Sequence, residues 1–229
     1  MGGGDNMSNT TTKTEQKKNH LHRVKCSKLP ITIGDIKKAI PPHCFQRSLL
    51  RSLFYLARDV IFVCIFYYIA ITYFRVLPSP YYYYYLAWSI YWIVQGCVCT
   101  GIWVIAHECG HHAFSHYPWL NDTVGFILHS VLLTPYFSWK YSHRRHHSNT
   151  NSLEHDENHV PKLKSQLRWC DCNCLRVVSH YFSTRTSLVV CIYGVPLLIV
   201  NGFILLITFL HHTHPSLPHY DIFEWDWLR

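Results

Sequence analysis

Residues 81–112, YYYYYLAWSIYWIVQGCVCTGIWVIAHECGHH, decide the fold, because an apolar run leads directly into a group of histidines. The run from Tyr81 to Ala106 contains no charged residue and exceeds the ~20 residues that an α-helix needs to cross a bilayer. The five tyrosines at its start are typical of an aromatic belt at a membrane interface rather than of a substrate site. We therefore predict a transmembrane helix that ends at His107.

Three further apolar segments surround this helix. A span at about 60–74 precedes it, and the two are expected to form a membrane hairpin. The run 124–137 has only 14 residues, so it is expected to enter the membrane and return, or to lie in the interface. The run 187–210 is long enough to cross. The predicted fold class is an all-α integral membrane protein with a transmembrane helical hairpin and one further span.

The composition supports a membrane protein. Of the 229 residues, 49% are hydrophobic and only 15% are charged, which is too apolar for a soluble surface. The net charge of +8 does not indicate nucleic acid, because the basic residues flank apolar runs and form no recognition motif. Residues 1–30 are polar and predict a disordered cytosolic tail, which leaves 31–229 as the membrane domain. Cysteines within apolar segments, without a signal peptide, are expected to be reduced.

Two groups of histidines carry the chemistry: HECGHH at 107–112 (box one) and HRRHH at 143–147 (box two). In a helix, the first and fifth residues of each box lie one turn apart on one face. Each box can therefore direct two or three imidazoles at one point, which predicts a metal site. Imidazole binds iron, zinc, copper and nickel, so the ligand type alone does not select the metal. The lone histidines His129, His159 and His180 are expected to be incidental interface residues.

Box one also fits an alternative function, that of an intramembrane zinc metalloprotease. It matches the H-E-x-x-H pattern, in which His107 and His111 would bind zinc and Glu108 would be the general base. Two observations count against a protease. Box two supplies more histidines than such an enzyme needs, and the extended metzincin pattern fails at Phe114, where glycine is required.

The run that begins at Gln95, with QGCVCTGIWVIAHECGHHAFS and LLTPYFSWKYSHRRHHSNT, closely resembles the plant microsomal oleate (delta-12) desaturases and their acetylenase, conjugase and hydroxylase relatives. The similarity extends upstream through GDIKKAIPPHCFQRSLLRS and downstream through YGVPLLIVNGFILLITFLHHTHPSLPHYD and EWDWLR. The resemblance implies an O2-dependent fatty acyl desaturase that acts on phospholipid-bound chains. It also implies a multi-pass protein of the endoplasmic reticulum membrane, with its histidine boxes on the cytosolic side.

The resemblance further implies the metal centre and its partners. The family uses two non-haem iron ions, O2 as co-substrate and electrons from cytochrome b5 and its reductase; homo- or hetero-oligomers with other desaturases are compatible with it. Six residues match the family's iron ligands: His107, His111, His112, His143, His146 and His147. Glu108 and, more weakly, Asp156 would accept an imidazole N–H and orient the ring. His212 and His214 of the HTHP segment are tentative further ligands, and His211 carries less weight because many relatives have glutamine there.

The chain also departs from the family pattern. The family's third box, His-x-x-His-His, has no counterpart in the 229 residues, and the pattern dissolves between Lys164 and Arg185. The three cysteines within that segment, Cys170, Cys172 and Cys174, do not have zinc-site spacing. An odd number of crossings would also place His212 and His214 on the opposite membrane face from the boxes. We therefore expect an incomplete desaturase that is not competent alone. The alternative is a non-catalytic membrane remnant that pairs with intact desaturases.

Overall fold

The computed structural model describes residues 30–77, 81–156, 186–212, 219–220, 223 and 225–226. The helices in these ranges are α1 (Ile33–Ala39), α2 (Leu49–Tyr73), α3 (Tyr82–Gly110), α4 (Pro118–Val131), α5 (Tyr136–Ser148) and α6 (Val195–His212). A short helix, Thr186–Val189, and a π-helical turn, Val190–Gly194, lead into α6. The N-terminal tail, the three clustered cysteines, His159, His180 and His214 lie outside the described residues.

Three helices are long and apolar enough to cross a membrane: α2, α3 and the continuous segment Val190–His212. α2 and α3 pack as the predicted hairpin, and their contact is built from Ala70, Trp88 and Tyr91. Phe74 at the end of α2 meets Trp88 edge to face, with ring centroids 5.2 Å apart. The chain is thus an all-α membrane protein, as the sequence predicts.

α6 runs parallel to α3. Near its start, Tyr91 and Trp92 of α3 contact the π-helical turn, and one turn further on Gly96 packs so closely on Ile199 that a Cβ on the glycine would lie 2.5 Å from Ile199 Cγ2. At its end, the ring of His212 lies 4.6 Å from the ring of His146, centroid to centroid. The prediction that His212 lies on the opposite face from the boxes is therefore wrong. The span count assumed that α6 starts on the box side, whereas it starts at the far end of α3.

Side chains of α3 donate hydrogen bonds to two backbone carbonyls in the turn before α6. Pro196 has no N–H, so Ile192 O lacks the donor that an α-helix supplies four residues later. Tyr91 OH donates to Ile192 O at 2.9 Å, and Trp92 Nε1 donates to Cys191 O at 2.8 Å. Neighbouring helices satisfy freed backbone groups in this way where a bilayer offers no water.

α4 and α5 form a second, shorter hairpin. α4 has 14 residues and is followed by a turn in which Leu133 takes a left-handed backbone (φ 54°), after which α5 runs back. Gly125 allows the close approach, since a Cβ there would lie 2.3 Å from the ring of Tyr136. Lys140 of α5 pairs with Asp122 of α4. The short apolar run is therefore not one of the membrane-length helices, and the turn after α4 brings box two beside box one.

Candidate metal centre

Four histidines, His107, His111, His143 and His147, meet where α3 and α5 come together; we call them the four-histidine cluster. His107 lies in the last turn of α3, and His111 follows it by one turn. His143 and His147 have the same relation in α5. His107 Nε2 lies 3.1 Å from His111 Nε2 and 3.3 Å from His143 Nε2, and His143 Nε2 lies 2.9 Å from His147 Nε2. The four ligand atoms all lie within 4.8 Å of one another.

The electrostatics of the cluster favour neutral imidazoles. Burial lowers the pKa of His143 to about 2, with a further contribution from the neighbouring imidazoles. Burial also lowers the pKa of His111, with a further contribution from Arg144, and lowers the pKa of His147, with a further contribution from the neighbouring imidazoles. Each pair of adjacent Nε2 atoms can share at most one proton, so lone pairs remain directed at the common centre. Neutral nitrogen donors of this kind bind transition metals rather than Mg²⁺ or Ca²⁺.

Two tryptophans form the wall behind the cluster. Trp139 stacks on His143 with centroids 4.6 Å apart, and Trp103 lies 5.4 Å from His107. Gly110 makes room for Trp139, because a Cβ on the glycine would lie 2.6 Å from the indole. His129 is not an interface residue as expected: it is fully buried and stacks on Trp103, with centroids 5.2 Å apart. Burial lowers the pKa of His129 to about 4.

His146 occupies a second position beside the cluster. Its Nδ1 lies 2.9 Å from both carboxylate oxygens of Asp156, and the two side chains are only 3% and 2% exposed. The ring of His212 packs edge to face against His146, with centroids 4.6 Å apart. A carboxylate that accepts the Nδ1–H fixes the tautomer in which Nε2 is free to bind a metal. Asp156, the weaker of the two sequence candidates, thus has the geometry of an orienting carboxylate.

The structure does not bring Glu108 to an imidazole. Glu108 is exposed and lines the central cavity, and within the described residues its carboxylate makes no hydrogen bond. The reason is helical phase: Glu108 follows His107 by one residue and so points about 100° away around α3.

His112 also lies apart from the cluster. It has a left-handed backbone (φ 59°) just after α3, and its Nδ1 is buried with no hydrogen-bond partner among the residues that the structure describes. Burial lowers the pKa of His112, and the charge of Lys140 lowers it further. His211 lines the cavity but is exposed. His214 lies outside the described residues, so its place relative to the cluster remains a prediction from the sequence.

A cavity of about 650 Å³ opens between α3, α5 and α6 and ends at the histidines. Its walls come from Thr100, Trp103, Val104, Glu108, Thr134, Trp139, Ser142, Asn201, Ile204, Ile207 and Thr208. Its histidine end comprises His107, His143, His146, His147, His211 and His212. Thr100, Ser142, Asn201 and Thr208 hydrogen-bond to carbonyls of their own helices. The cavity is of the size and polarity that hold an apolar ligand.

The chain matches known proteins over its whole length. A family model described as fatty acid desaturase matches residues 86–199. A delta(12)-fatty-acid desaturase of Arabidopsis thaliana is 46% identical over 293 residues, covering 100% of this chain and 76% of that protein. A delta(12) fatty acid desaturase of Calendula officinalis is 48% identical with the same coverage. An acyl-lipid (9+3)-(E)-desaturase of Dimorphotheca sinuata is 46% identical, again over 100% and 76%.

The aligned length of 293 residues exceeds the 229 of the chain, so the Arabidopsis relative carries internal residues that this chain lacks. No solved structure matches the chain. A histidine cluster that could hold a metal ion, three membrane-length helices and a match to the desaturase family model agree with one another. The chain belongs to the fatty acid desaturase family, whose members are membrane oxidoreductases of lipid biosynthesis.

Proposed function

We propose that the protein is a delta-12 acyl-lipid desaturase of the endoplasmic reticulum membrane, acting on phospholipid-bound oleoyl chains. The observation that carries the proposal is the convergence of four imidazoles at the end of an apolar cavity. The names of the relatives support the reaction, since the proteins of Arabidopsis and Calendula are delta(12) desaturases. A Brassica juncea relative that is 46% identical is named an endoplasmic reticulum omega-6 desaturase, which supports the location.

The described residues fit a centre of two iron ions. The four-histidine cluster would hold one ion, and His146 with His212 would contribute to the second. His112 and His214 remain candidate ligands on the family pattern alone. Bound iron would supply, with O2 and electrons from cytochrome b5 and its reductase, the oxidising power that hydrogen removal from an unactivated methylene requires.

The protein's own residues position the substrate and the ligands. The cavity walls would hold an acyl chain in a fixed direction and exclude water from the histidine end. Trp103 and Trp139 restrict the imidazoles of box one and box two by direct ring contact. Asp156 would keep the proton of His146 on Nδ1, so that Nε2 faces the metal.

We further propose that the boxes face the cytosol. Arg144 and Arg145 are exposed on the box-two helix, and basic residues beside membrane spans are retained on the cytosolic side. Glycosylation tags placed after Phe114 and after Thr150 are expected to remain unmodified. Modification of either tag would contradict this topology.

The zinc protease receives no support from the geometry. A protease of this type needs two histidines and one further ligand, whereas the structure gathers four imidazoles. Metal analysis of the purified protein separates the two functions. About two iron atoms per completed chain are expected. One zinc, with proteolysis abolished by Glu108→Gln, would overturn the desaturase proposal.

The experiment that tests the activity is expression in yeast that makes oleate and cytochrome b5 but no delta-12 desaturase. The chain is completed with the third-box region of the Arabidopsis relative, and fatty acid methyl esters are separated by gas chromatography. A new diene that disappears with His146→Ala supports the proposal. The third-box region expressed alone is the control and should give no product. A chimera that inserts into the membrane and binds iron but makes no new fatty acid would contradict the proposal.

A further inference from the structure

Two residues that follow α6, Tyr220 and Trp225, contact the loop after box two; we call them the anchor residues. The loop, residues 149–156, connects the end of α5 to Asp156. Tyr220 N donates to Asn151 O at 2.9 Å, and Leu153 N donates to Tyr220 O at 2.9 Å. The Tyr220 main chain therefore holds the loop on both sides of Ser152, with which it forms a parallel bridge.

The second anchor residue binds the loop through its side chain. Trp225 Nε1 donates to Thr150 O at 3.0 Å. Thr150 in turn donates from its hydroxyl to His146 O at 2.9 Å, so the indole is one residue removed from a metal-ligand candidate. An indole N–H can only donate a hydrogen bond. The Trp225 ring therefore reaches the Thr150 carbonyl in one orientation only.

The loop also contains contacts of its own. Asn151 has a left-handed backbone (φ 66°), which asparagine adopts more readily than most residues and which turns the chain toward Ser152. Ser152 is fully buried, and Asp156 N donates back to Ser152 O at 3.2 Å. The Asp156 carboxylate is thus placed on His146 by a ten-residue connection whose middle is fixed by the anchor residues.

We propose that Trp225, together with the Tyr220 main chain, is a positioning residue for the metal centre. It acts through the loop that sets the Asp156 carboxylate on His146 Nδ1. Tyr220 and Trp225 are then part of the metal-binding architecture. The proposal rests on the metal centre of the proposed function.

The experiment measures Co²⁺ binding by the purified chain in phosphatidylcholine nanodiscs, followed by visible absorption. The absorption lost in His146→Ala defines the site that contains this histidine. Three variants are compared with the unaltered chain: Asp156→Asn, Trp225→Phe and the double variant. Trp225→Phe keeps an aromatic ring but removes the N–H. Trp119→Phe is the matched control, because Trp119 is 66% exposed on α4.

Asp156→Asn is expected to weaken Co²⁺ binding at the His146 site about 10- to 100-fold, as the loss of an orienting partner does. Trp225→Phe should weaken it roughly 2- to 10-fold, the equivalent of one hydrogen bond. The double variant should be no weaker than Asp156→Asn, because both changes remove the same orientation. Trp119→Phe should bind as the unaltered chain does.

Each contrary result has a distinct meaning. Unchanged binding in Trp225→Phe, or a double variant equal to the product of the two single effects, would overturn the positioning role while leaving the metal centre intact. Absence of any His146-dependent absorption in the unaltered chain would overturn the proposed metal centre, and this inference with it.

Discussion

The four-histidine cluster and the His146 position hold their imidazoles in different ways. The cluster uses two pairs of residues that are one helical turn apart, and His111 and His147 are exposed. His146 is buried and depends on Asp156 from a loop and on the ring of His212 from α6. Local helix geometry aims each pair of the cluster, and the two pairs meet where α3 and α5 come together. The second position depends in addition on a loop and on α6. The second position should be the more dependent on the rest of the chain.

The largest effect concerns activity. We expect a polypeptide limited to these 229 residues to make no new unsaturated, hydroxylated or acetylenic acid in yeast. The described ligands are the four imidazoles of the cluster and the pair at the second position, whereas two irons need about ten ligand positions. Gas chromatography of methyl esters is the measurement. A new diene that is lost with His146→Ala would show that the second position is already complete, and would remove the contrast between the two.

The next effect separates the two positions directly. His143→Ala removes the imidazole that contacts both His107 and His147, with Nε2–Nε2 distances of 3.3 Å and 2.9 Å, so the cluster should lose its ion. His146→Ala should remove the other ion and leave the cluster able to bind. Metal-to-protein ratios after dialysis against a fixed free-metal concentration measure both. Equal loss of all metal in the two variants would mean that the positions form one inseparable site.

A smaller effect tests the carboxylates. Asp156→Asn should lower metal affinity about 10- to 100-fold, because the amide no longer accepts the Nδ1–H as a carboxylate does. Glu108→Gln should change it by less than about 3-fold, since its carboxylate makes no hydrogen bond among the described residues. Competition with a chelator of known affinity gives both values. A larger effect of Glu108→Gln would show that Glu108, and not only Asp156, orients an imidazole.

The smallest effect concerns the helix packing that brings box two to box one. Gly125→Ala should destabilise the fold by about 1–3 kcal/mol, because the new methyl group would overlap the ring of Tyr136. Gly202→Ala is the matched control within α6: nothing lies within 4 Å of its Cβ position, and alanine favours a helix by up to about 1 kcal/mol. Detergent-titrated unfolding followed by circular dichroism compares them. Equal stability of the two variants would show that the α4–α5 hairpin is loose.

Residue spacing predicted the parts of the molecule that depend on local geometry. The apolar runs gave the three membrane-length helices, and the i, i+4 spacing gave the convergence of His107 with His111. It did not predict that His212 reaches His146, because the direction of α6 depends on where the preceding chain emerges, not on the helix itself. Nor did it rank Asp156 above Glu108: adjacency to a box in sequence favoured Glu108, whereas a turn of the loop brings Asp156 to the ring.

Trp103 and Trp139, each in contact with an imidazole of the cluster, give the protein a built-in optical reporter. An open-shell metal ion bound to those imidazoles would quench indole emission over so short a distance, whereas zinc, with its filled d shell, would not. Loss of a bound open-shell ion is therefore expected to raise the indole fluorescence of the purified protein, a measurement that needs no turnover.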